Sequence, residues 1–447
     1  MQIPLPLLSS LDGIKGFERD EFIKVHASEE VLTSIRINPA KSIAPPLSSI
    51  PVPWTQYGYY LPQRPSFTFD PLFHAGTYYV QEASSMFLEQ AVKQTTNLSA
   101  TLKVLDLCAA PGGKSTHLQS LISPESLLVS NEVIRSRVNI LHDNITKWGA
   151  ENVIVTNNDP RDLSKLENFF DLVVVDAPCS GSGLFRKDPN AINEWSENNV
   201  TLCSQRQQRI LADIWPCLKK GAVLIYSTCS YSREEDEDIF DHLLNEYKAE
   251  PLSLVLNSDW GITDTGKGYR FWPGNVRGEG FYLACFKKAD GEDPSFMRVK
   301  KKPAVLTQKE KSIVEGWLDT KNKFLFKNGQ TVYAWPASNH NEFAFLLQEL
   351  RVVVSGLIVG ELVHGKMIPS HALALSKSLV PSIEKIDLVY ERAIKYLQKK
   401  ELDILPDSIG WKLASYKGHP MGWMNVLSNR INNYYPVELR IRKESNN

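Results

Sequence analysis

The chain has 447 residues, 43% of them hydrophobic and 23% charged, with a formal net charge of −1. That length predicts two to four domains, and the composition is typical of a soluble globular protein. No apolar stretch reaches membrane-spanning length, and Met1–Leu8 is uncharged and broken by prolines, which excludes a membrane span and a signal peptide. The six cysteines include no CxxC pair and no metal-ligand spacing with histidine, so the expectation is a cytoplasmic protein with reduced thiols and no metal site.

Residues 1–100 open with helical segments, pass through Pro-rich turns between Pro39 and Pro65, and end in Tyr78–Met86 before an amphipathic stretch. They read as an N-terminal α/β extension. Residues 101–288 alternate strand-like and helix-like segments, the pattern of a doubly wound parallel α/β sheet. The predicted strands are Leu102–Leu107, Leu127–Ser130, Val153–Thr156, Leu172–Val175 and Ala222–Ser227, with Phe281–Phe286 added later. Ile239, Phe240, Leu243 and Leu244 recur at helical spacing behind an acidic first turn at Glu234, Glu235 and Asp236. A polar stretch at 289–303 reads as a linker. Residues 304–447 form a C-terminal α+β region with a possible internal boundary near 405. Within it Trp411–Tyr416 and Val437–Arg442 alternate like exposed strands. From Gly410 onward six Lys/Arg face Glu438 and Glu444, a basic end that fits a polyanion or, equally, a solvated surface.

The first strand runs into Cys108, Ala109, Ala110, Pro111, Gly112, Gly113 and Lys114, followed by a helix. Paired glycines there let a backbone approach a ligand at a helix N-terminus. A P-loop needs glycine where Cys108 stands, and the dinucleotide fingerprint lacks its third glycine. Acids follow the next strands in order: Glu132, placed for ribose hydroxyls, Asp159, placed for an exocyclic amine, and Asp176. Singly each is more often a cap or turn residue. Together they read as an S-adenosylmethionine pocket. Cys179 and Cys229 follow the fourth and fifth strands, where a sheet of this kind places its ligand crevice, so both thiols should face one pocket beside Asp176. The bland alternative for these two, that each is a buried small hydrophobe, is the reading accepted for the other four thiols, Cys108, Cys203, Cys217 and Cys285.

Cys108–Lys114, Asp176-Ala-Pro-Cys179-Ser-Gly-Ser-Gly183 and Ser227-Thr-Cys229-Ser230 resemble the signatures of the Nop/Sun family of RNA cytosine-C5 methyltransferases. Ser34–Asn38, Tyr79–Met86 and Gly278–Phe281 resemble further family segments. Gly418–Trp423 and Asn429–Pro436 are similar to the C-terminal part of bacterial small-subunit ribosomal RNA methyltransferases of the F type, which carry a PUA-like RNA-binding module. The resemblance implies a Rossmann-like methyltransferase sheet, with cofactor binding by residues 108–114, Glu132, Asp159 and Asp176. It makes Cys229 the nucleophile that adds to cytosine C6, with Cys179 assisting release. A protonated Asp176 could donate to N3 of the base. The sulfonium of the methyl donor is one source of charge to favour a Cys229 thiolate and Lys114 a weaker one, and Arg137 reads either as a neighbour of the cofactor or, more simply, as an exposed helical arginine.

The implied partner is RNA, ribosomal RNA (most simply 16S) or the small ribosomal subunit, met by a monomer with no membrane attachment. The target cytosine must be unpaired or flipped out. Trp411, Lys412, Tyr416, Lys417, Trp423, Arg430, Tyr434 and Tyr435 could stack on bases and contact phosphates, or could form the core of a small β-domain. Arg36 is either an RNA contact or an ordinary surface residue. Alternatives are methylation of another RNA such as tRNA, or a non-catalytic RNA-binding assembly factor, which should have lost part of the motif set. A DNA cytosine methyltransferase would not need Cys229, and a small-molecule enzyme would not explain the residues beyond 303.

Overall fold

The structure is a computed structural model that describes residues 3–28, 30, 32–41, 43–291, 298–300, 302–404 and 408–443. An N-terminal antiparallel sheet holds β1 (Thr33–Ile37), β2 (Ile50–Pro51), β3 (Gly58–Leu61) and β4 (Tyr78–Val80) in the order β2-β3-β1-β4.

Aliphatic runs without polar alternation mark strands that are buried on both faces. Such runs form the heart of the central sheet. Its strands are β5 (Lys103–Asp106), β6 (Leu127–Asn131), β7 (Val153–Thr156), β8 (Phe170–Asp176), β9 (Leu218–Thr228), β10 (Glu250–Leu252), β11 (Thr263–Asp264), β12 (Tyr269–Phe271) and β13 (Phe281–Lys287). The order is β11-β12-β13-β9-β8-β5-β6-β7, with β10 beside β13; β5 to β9 are parallel and β13 is antiparallel to β9. Successive side chains point to opposite faces, so the strands feed two cores. Leu105, Val129, Val173 and Leu224 pack with Ile210, Leu211, Ile214, Ile239 and Leu243 of the helices Glu197–Ile214 and Glu237–Tyr247. Val104, Leu128, Val174 and Ile225 pack with Leu118, Val138 and Leu141 of the helices Gly113–Leu121 and Arg135–Trp148. Met86, Phe87 and Leu88 join this second core, so the N-terminal extension shares it. The chain direction reverses its progress at β5, and the crevice beyond the carboxyl ends of β5 and β8 is the switch point where ligands bind in such sheets.

Beyond the central sheet come β14 (Ala304–Val305), β15 (Lys323–Asn328), β16 (Thr331–Pro336), β17 (Val352–Ser355), β18 (Leu357–Val363) and β19 (Lys366–Pro369), then β20 (Lys385–Asp387), β21 (Gly410–Tyr416), β22 (His419–Val426) and β23 (Ile431–Asn433). Two sheets result, β14-β15-β16-β18-β19 and β20-β21-β22-β23. β17 belongs to neither: it pairs antiparallel with β7, so the region after 303 is not a separate body but supplies the edge strand of the catalytic sheet.

Three expectations for this region are corrected. Much of the linker (292–297 and 301), the boundary point at 405–407 and Glu444 lie outside the described residues, but β20 already pairs with β21, so a division near 405 would cut a sheet. Trp411–Tyr416 is a strand, yet an interior one between β20 and β22. Val437–Arg442 is not a strand: Leu439 N–H donates to Pro436 O and Arg440 N–H to Val437 O, closing turns that use up the ladder donors.

One amide side chain reinforces the backbone pairing at the β17 junction. Asn158 Oδ1 accepts from Arg351 N (2.9 Å) and Asn158 Nδ2 donates to Arg351 O (3.2 Å). Asn158→Ala strands Arg351 N, while Arg351 O keeps the Asn157 N–H (3.0 Å), and should cost about 1 kcal/mol. Urea denaturation should show that loss, with faster amide exchange over 352–355; unchanged exchange there would refute the role of this amide.

Candidate active site

The loop after β5 is held from several sides. Asn144 Nδ2 donates to Pro111 O (2.8 Å), a side-chain nitrogen of Arg137 donates to Ala110 O (2.6 Å), and Ala109 N donates to Asn131 O (2.8 Å). Gly112 sits at φ +114°, a conformation that favours glycine, and opens the helix Gly113–Leu121. Arg137 is exposed at its surface as expected, but its head binds the loop and lies 3.5 Å from Glu132. Arg36 departs from both of its readings. It is buried, and donates to Gln81 Oε1 (2.8 Å), Thr116 Oγ1 (2.6 Å) and Gly113 O (3.2 Å), so it braces the loop from the N-terminal sheet. Burial lowers its guanidinium to about 9.

Two buried carboxylates at neighbouring strand ends each keep one oxygen without a hydrogen bond among the described residues, that of Glu132 meeting only the Arg137 guanidinium at 3.5 Å. Glu132 Oε1 accepts from Ile134 N (2.8 Å), but its Oε2 has no hydrogen-bond donor among the described residues. Asp106 Oδ2 accepts from Ser115 Oγ (2.6 Å), and its Oδ1 likewise has no donor. Unmet buried acceptors beside a glycine turn fit a ligand rich in hydroxyl and amine donors, as the ribose and α-amino ends of S-adenosylmethionine are. Asp159 fits less directly. It is exposed, and its carboxylate caps the helix Pro160–Leu163 by accepting from Arg161 N. Burial pushes Asp106 up to about 7, with Asp176 and Glu132 adding to the push against Ser115 and Lys114.

At the ends of β8 and β9 the two expected thiols meet: Cys179 Sγ and Cys229 Sγ are 3.0 Å apart. The hydrogen bond to Cys229, then burial and the Glu235 charge, hold the Cys179 thiol well above its ordinary range. Cys179 therefore holds its proton more tightly than an ordinary thiol, while the short contact allows either sulfur to be the donor. Gly183 lets the loop close: its N–H donates to Cys229 O (2.8 Å), and a Cβ there would come within 2.7 Å of that oxygen. Beside the thiols Lys114 Nζ pairs with Asp176 Oδ2 (2.8 Å), while Asp176 Oδ1 accepts from Ser227 Oγ (2.9 Å). Burial alone would lower the Lys114 ammonium, but Asp176, then Asp106 and Cys229, raise it above its ordinary value. Asp176 thus meets an ammonium and a hydroxyl donor, partners of a carboxylate rather than of a neutral acid.

The Cys108 thiol is pushed up by burial, and Cys203, Cys217 and Cys285 are buried, each as an inert thiol should be. The aromatic-basic set divides. Trp423, Tyr435 and Lys412 are buried, with Lys412 paired to Glu384, because β21 and β22 are interior strands; these are core, not RNA contacts. Trp411 and Tyr416 are half-buried, and Lys417, Arg430 and Tyr434 are exposed. Among the described residues no cluster of His, Cys, Asp or Glu could hold a metal, and no helix is long and apolar enough to cross a membrane.

Strand-end acids, a glycine turn and a thiol pair on this sheet define a Rossmann-like methyltransferase. The family model described as 16S rRNA methyltransferase RsmB/F matches residues 94–287. Models for the N-terminal domain, the first C-terminal domain and the PUA domain of RsmF match 3–83, 312–376 and 383–441. Ribosomal RNA small subunit methyltransferase F of Psychromonas ingrahamii is 32% identical over 87% of this chain and 85% of its own. The Shewanella piezotolerans protein of the same name is 29% identical over 94% and 93%. A methyltransferase homolog from Pyrococcus horikoshii superposes with TM-score 0.50 at 25% identity, covering 64% of this chain and all of its own. NSun6 of Pyrococcus horikoshii, solved with SFG, gives TM-score 0.54 at 20% identity over 64% and 99%, which speaks for the fold. The chain belongs to the family of ribosomal RNA small subunit methyltransferases F.

The raised Asp106 carboxyl sets a pH dependence. Its proton is held more tightly folded than unfolded, so the contribution of Asp106 to stability should fall as pH rises from about 4 towards 7 and level off above, on top of the slope set by the other titrating groups. Asp106→Asn should remove the Asp106 part of the slope. Its stability relative to wild type should climb across that window by no more than about 4 kcal/mol, read by urea melts from pH 4 to 8. A flat difference would contradict the burial cost assigned to Asp106.

Proposed function

We propose that this chain methylates C5 of a cytosine in 16S ribosomal RNA, using S-adenosylmethionine and a covalent bond from Cys229 to C6 of the base. The observation that carries this reading is the contact between two strand-end thiols beside the Lys114–Asp176 pair. Cytosine C5 is a poor nucleophile; a thiolate added at C6 raises electron density at C5, splitting one hard step into easier ones. The Cys179 S–H and the nearby Lys114 ammonium both favour the Cys229 thiolate. Glu132 and Asp106 would hold the cofactor through their unused acceptors, with the loop 108–114 beneath it. When bound it supplies an activated methyl group. Asp176 would lie against the base, where its carboxylate could accept from the exocyclic amine and, on gaining a proton, donate to N3. Once C5 is methylated, solvent water takes the C5 proton, the C5–H electron pair closes the C5=C6 bond, and the C6–S pair returns to Cys229 as a thiolate. The Cys179 thiol then stabilises the departing sulfur by the same hydrogen bond.

The substrate reading rests on the family to which the chain belongs, and on the β22 and β23 surface with Lys417, Arg430 and Tyr434 exposed. It implies a cytoplasmic protein that meets ribosomal RNA or the small subunit. Cys229→Ala should abolish methylation with cofactor affinity nearly intact by calorimetry; turnover in that variant would overturn the nucleophile assignment. Cys179→Ala should retain a covalent protein–RNA adduct, seen as a slower band on a denaturing gel, and its absence would sink the release role. Bisulfite sequencing of ribosomal RNA from a deletion strain should lose one 5-methylcytidine, restored by the wild-type chain. An unchanged profile would redirect the search to other RNAs such as tRNA.

A further inference from the structure

Behind the thiols lies a carboxylate that the chemistry above does not use. Glu235 is fully buried, in the short 3-10 turn that precedes the helix Glu237–Tyr247. It accepts four hydrogen bonds. Ser180 N (2.8 Å) and Gln207 Nε2 (3.3 Å) donate to Oε1, and Ser180 Oγ (2.5 Å) and Ser230 Oγ (2.6 Å) donate to Oε2. Ser180 directly follows Cys179, and Ser230 directly follows Cys229. A single side chain therefore grips both thiol-bearing loops, one residue past each sulfur.

We propose that Glu235 is the positioning residue of this site, its buried carboxylate locking the two loops together so that Cys179 can hydrogen-bond to Cys229. The inference rests on the reading of Cys229 as nucleophile and deepens it. The surroundings are arranged for an anion, since every partner donates. Burying a charge is tolerated where hydrogen bonds replace water in this way. Burial raises the Glu235 carboxyl and the hydrogen bonds from Ser180, Ser230 and Gln207 work against that rise; in its ionised form it helps to keep the proton on Cys179. Neighbours continue the grip: Gln207 also donates to Pro178 O (3.1 Å), and Asp236 Oδ1 accepts from Thr228 Oγ1 (2.6 Å), on the near side of each cysteine.

A carboxylate that only stabilised the fold would not control which thiol reacts, so thiol selectivity is the decisive measurement. Alkylation by iodoacetamide between pH 6 and 9, read peptide by peptide by mass spectrometry, needs neither RNA nor methyl donor. In the wild type Cys229 should react faster than Cys179. Glu235→Gln should reduce that preference about tenfold, as a one-unit change in relative thiol acidity would. In turnover the same variant should lose about 100-fold in kcat with KM for RNA nearly unchanged, the signature of misplaced groups rather than lost binding. Unchanged selectivity and kcat in folded Glu235→Gln would overturn the proposal. Should that variant fail to fold, Ser180→Ala and Ser230→Ala each remove one grip, and wild-type selectivity in both would overturn it as well. Failure of the underlying reading looks different: methylation by Cys229→Ala, whatever Glu235 does.

Discussion

The contact between Cys179 and Cys229 depends on the register of two parallel strands. β8 and β9 pair with Val175 opposite Tyr226 and Asp176 opposite Ser227, and Ala177 N still donates to Ser227 O (2.8 Å) before the chains part. Each cysteine lies within three residues of that last pairing. A slip of one residue would turn every side chain of a strand to the other face. The aliphatic residues of β8 and β9 go alternately into two cores, so such a slip would bury the wrong set on both sides. The geometry of the reacting sulfurs is thus underwritten by hydrophobic packing well away from them. Polar contacts such as those of Ser180 and Ser230 refine a placement the sheet has already imposed.

Charge at the site follows the same economy. Asp106, Glu132 and Asp176 crowd the ends of neighbouring strands, and Lys114 answers them from the first turn of the helix after β5. In a partly dry crevice such acids would repel one another unless a cation or hydrogen-bond donors intervened. Asp106 shows the residual conflict through its raised carboxyl, whereas Asp176 pairs directly with Lys114. A donor-rich ligand entering the crevice would relieve the acceptors that remain unmet.

Much of this was legible in the chain, and what was hidden shared one physical cause. The parallel strands could be read because runs such as Leu172–Val175 are buried on both faces and carry their own signal. The thiol pocket followed from the rule that strand ends line the crevice. Arg36 could not be read, because the groups that bury it, Gln81, Gly113 and Thr116, come from segments far along the chain. The same holds for Asn158, whose partner Arg351 is nearly two hundred positions away. For Trp423 and Tyr435 a core and a nucleic-acid surface could not be told apart, because aromatic residues suit either, and only the packing of the folded sheet separates the two. Val437–Arg442 alternates as a strand does, yet its backbone donors are spent in turns. Glu235 was seen only as part of an acidic helix start, since nothing local tells a capping charge from a buried one.

The pairing of β17 with β7 ties the fate of two parts of the molecule. Without it, β7 would present a row of free amides and carbonyls to solvent, a template on which any extended peptide could assemble. Severing the chain after residue 303 would therefore do more than remove an RNA-contacting module; it would leave the methyl-transferring half with an adhesive flank. A lineage that acquired this arrangement cannot readily shed its tail, because solubility and chemistry have become joint properties of one sheet.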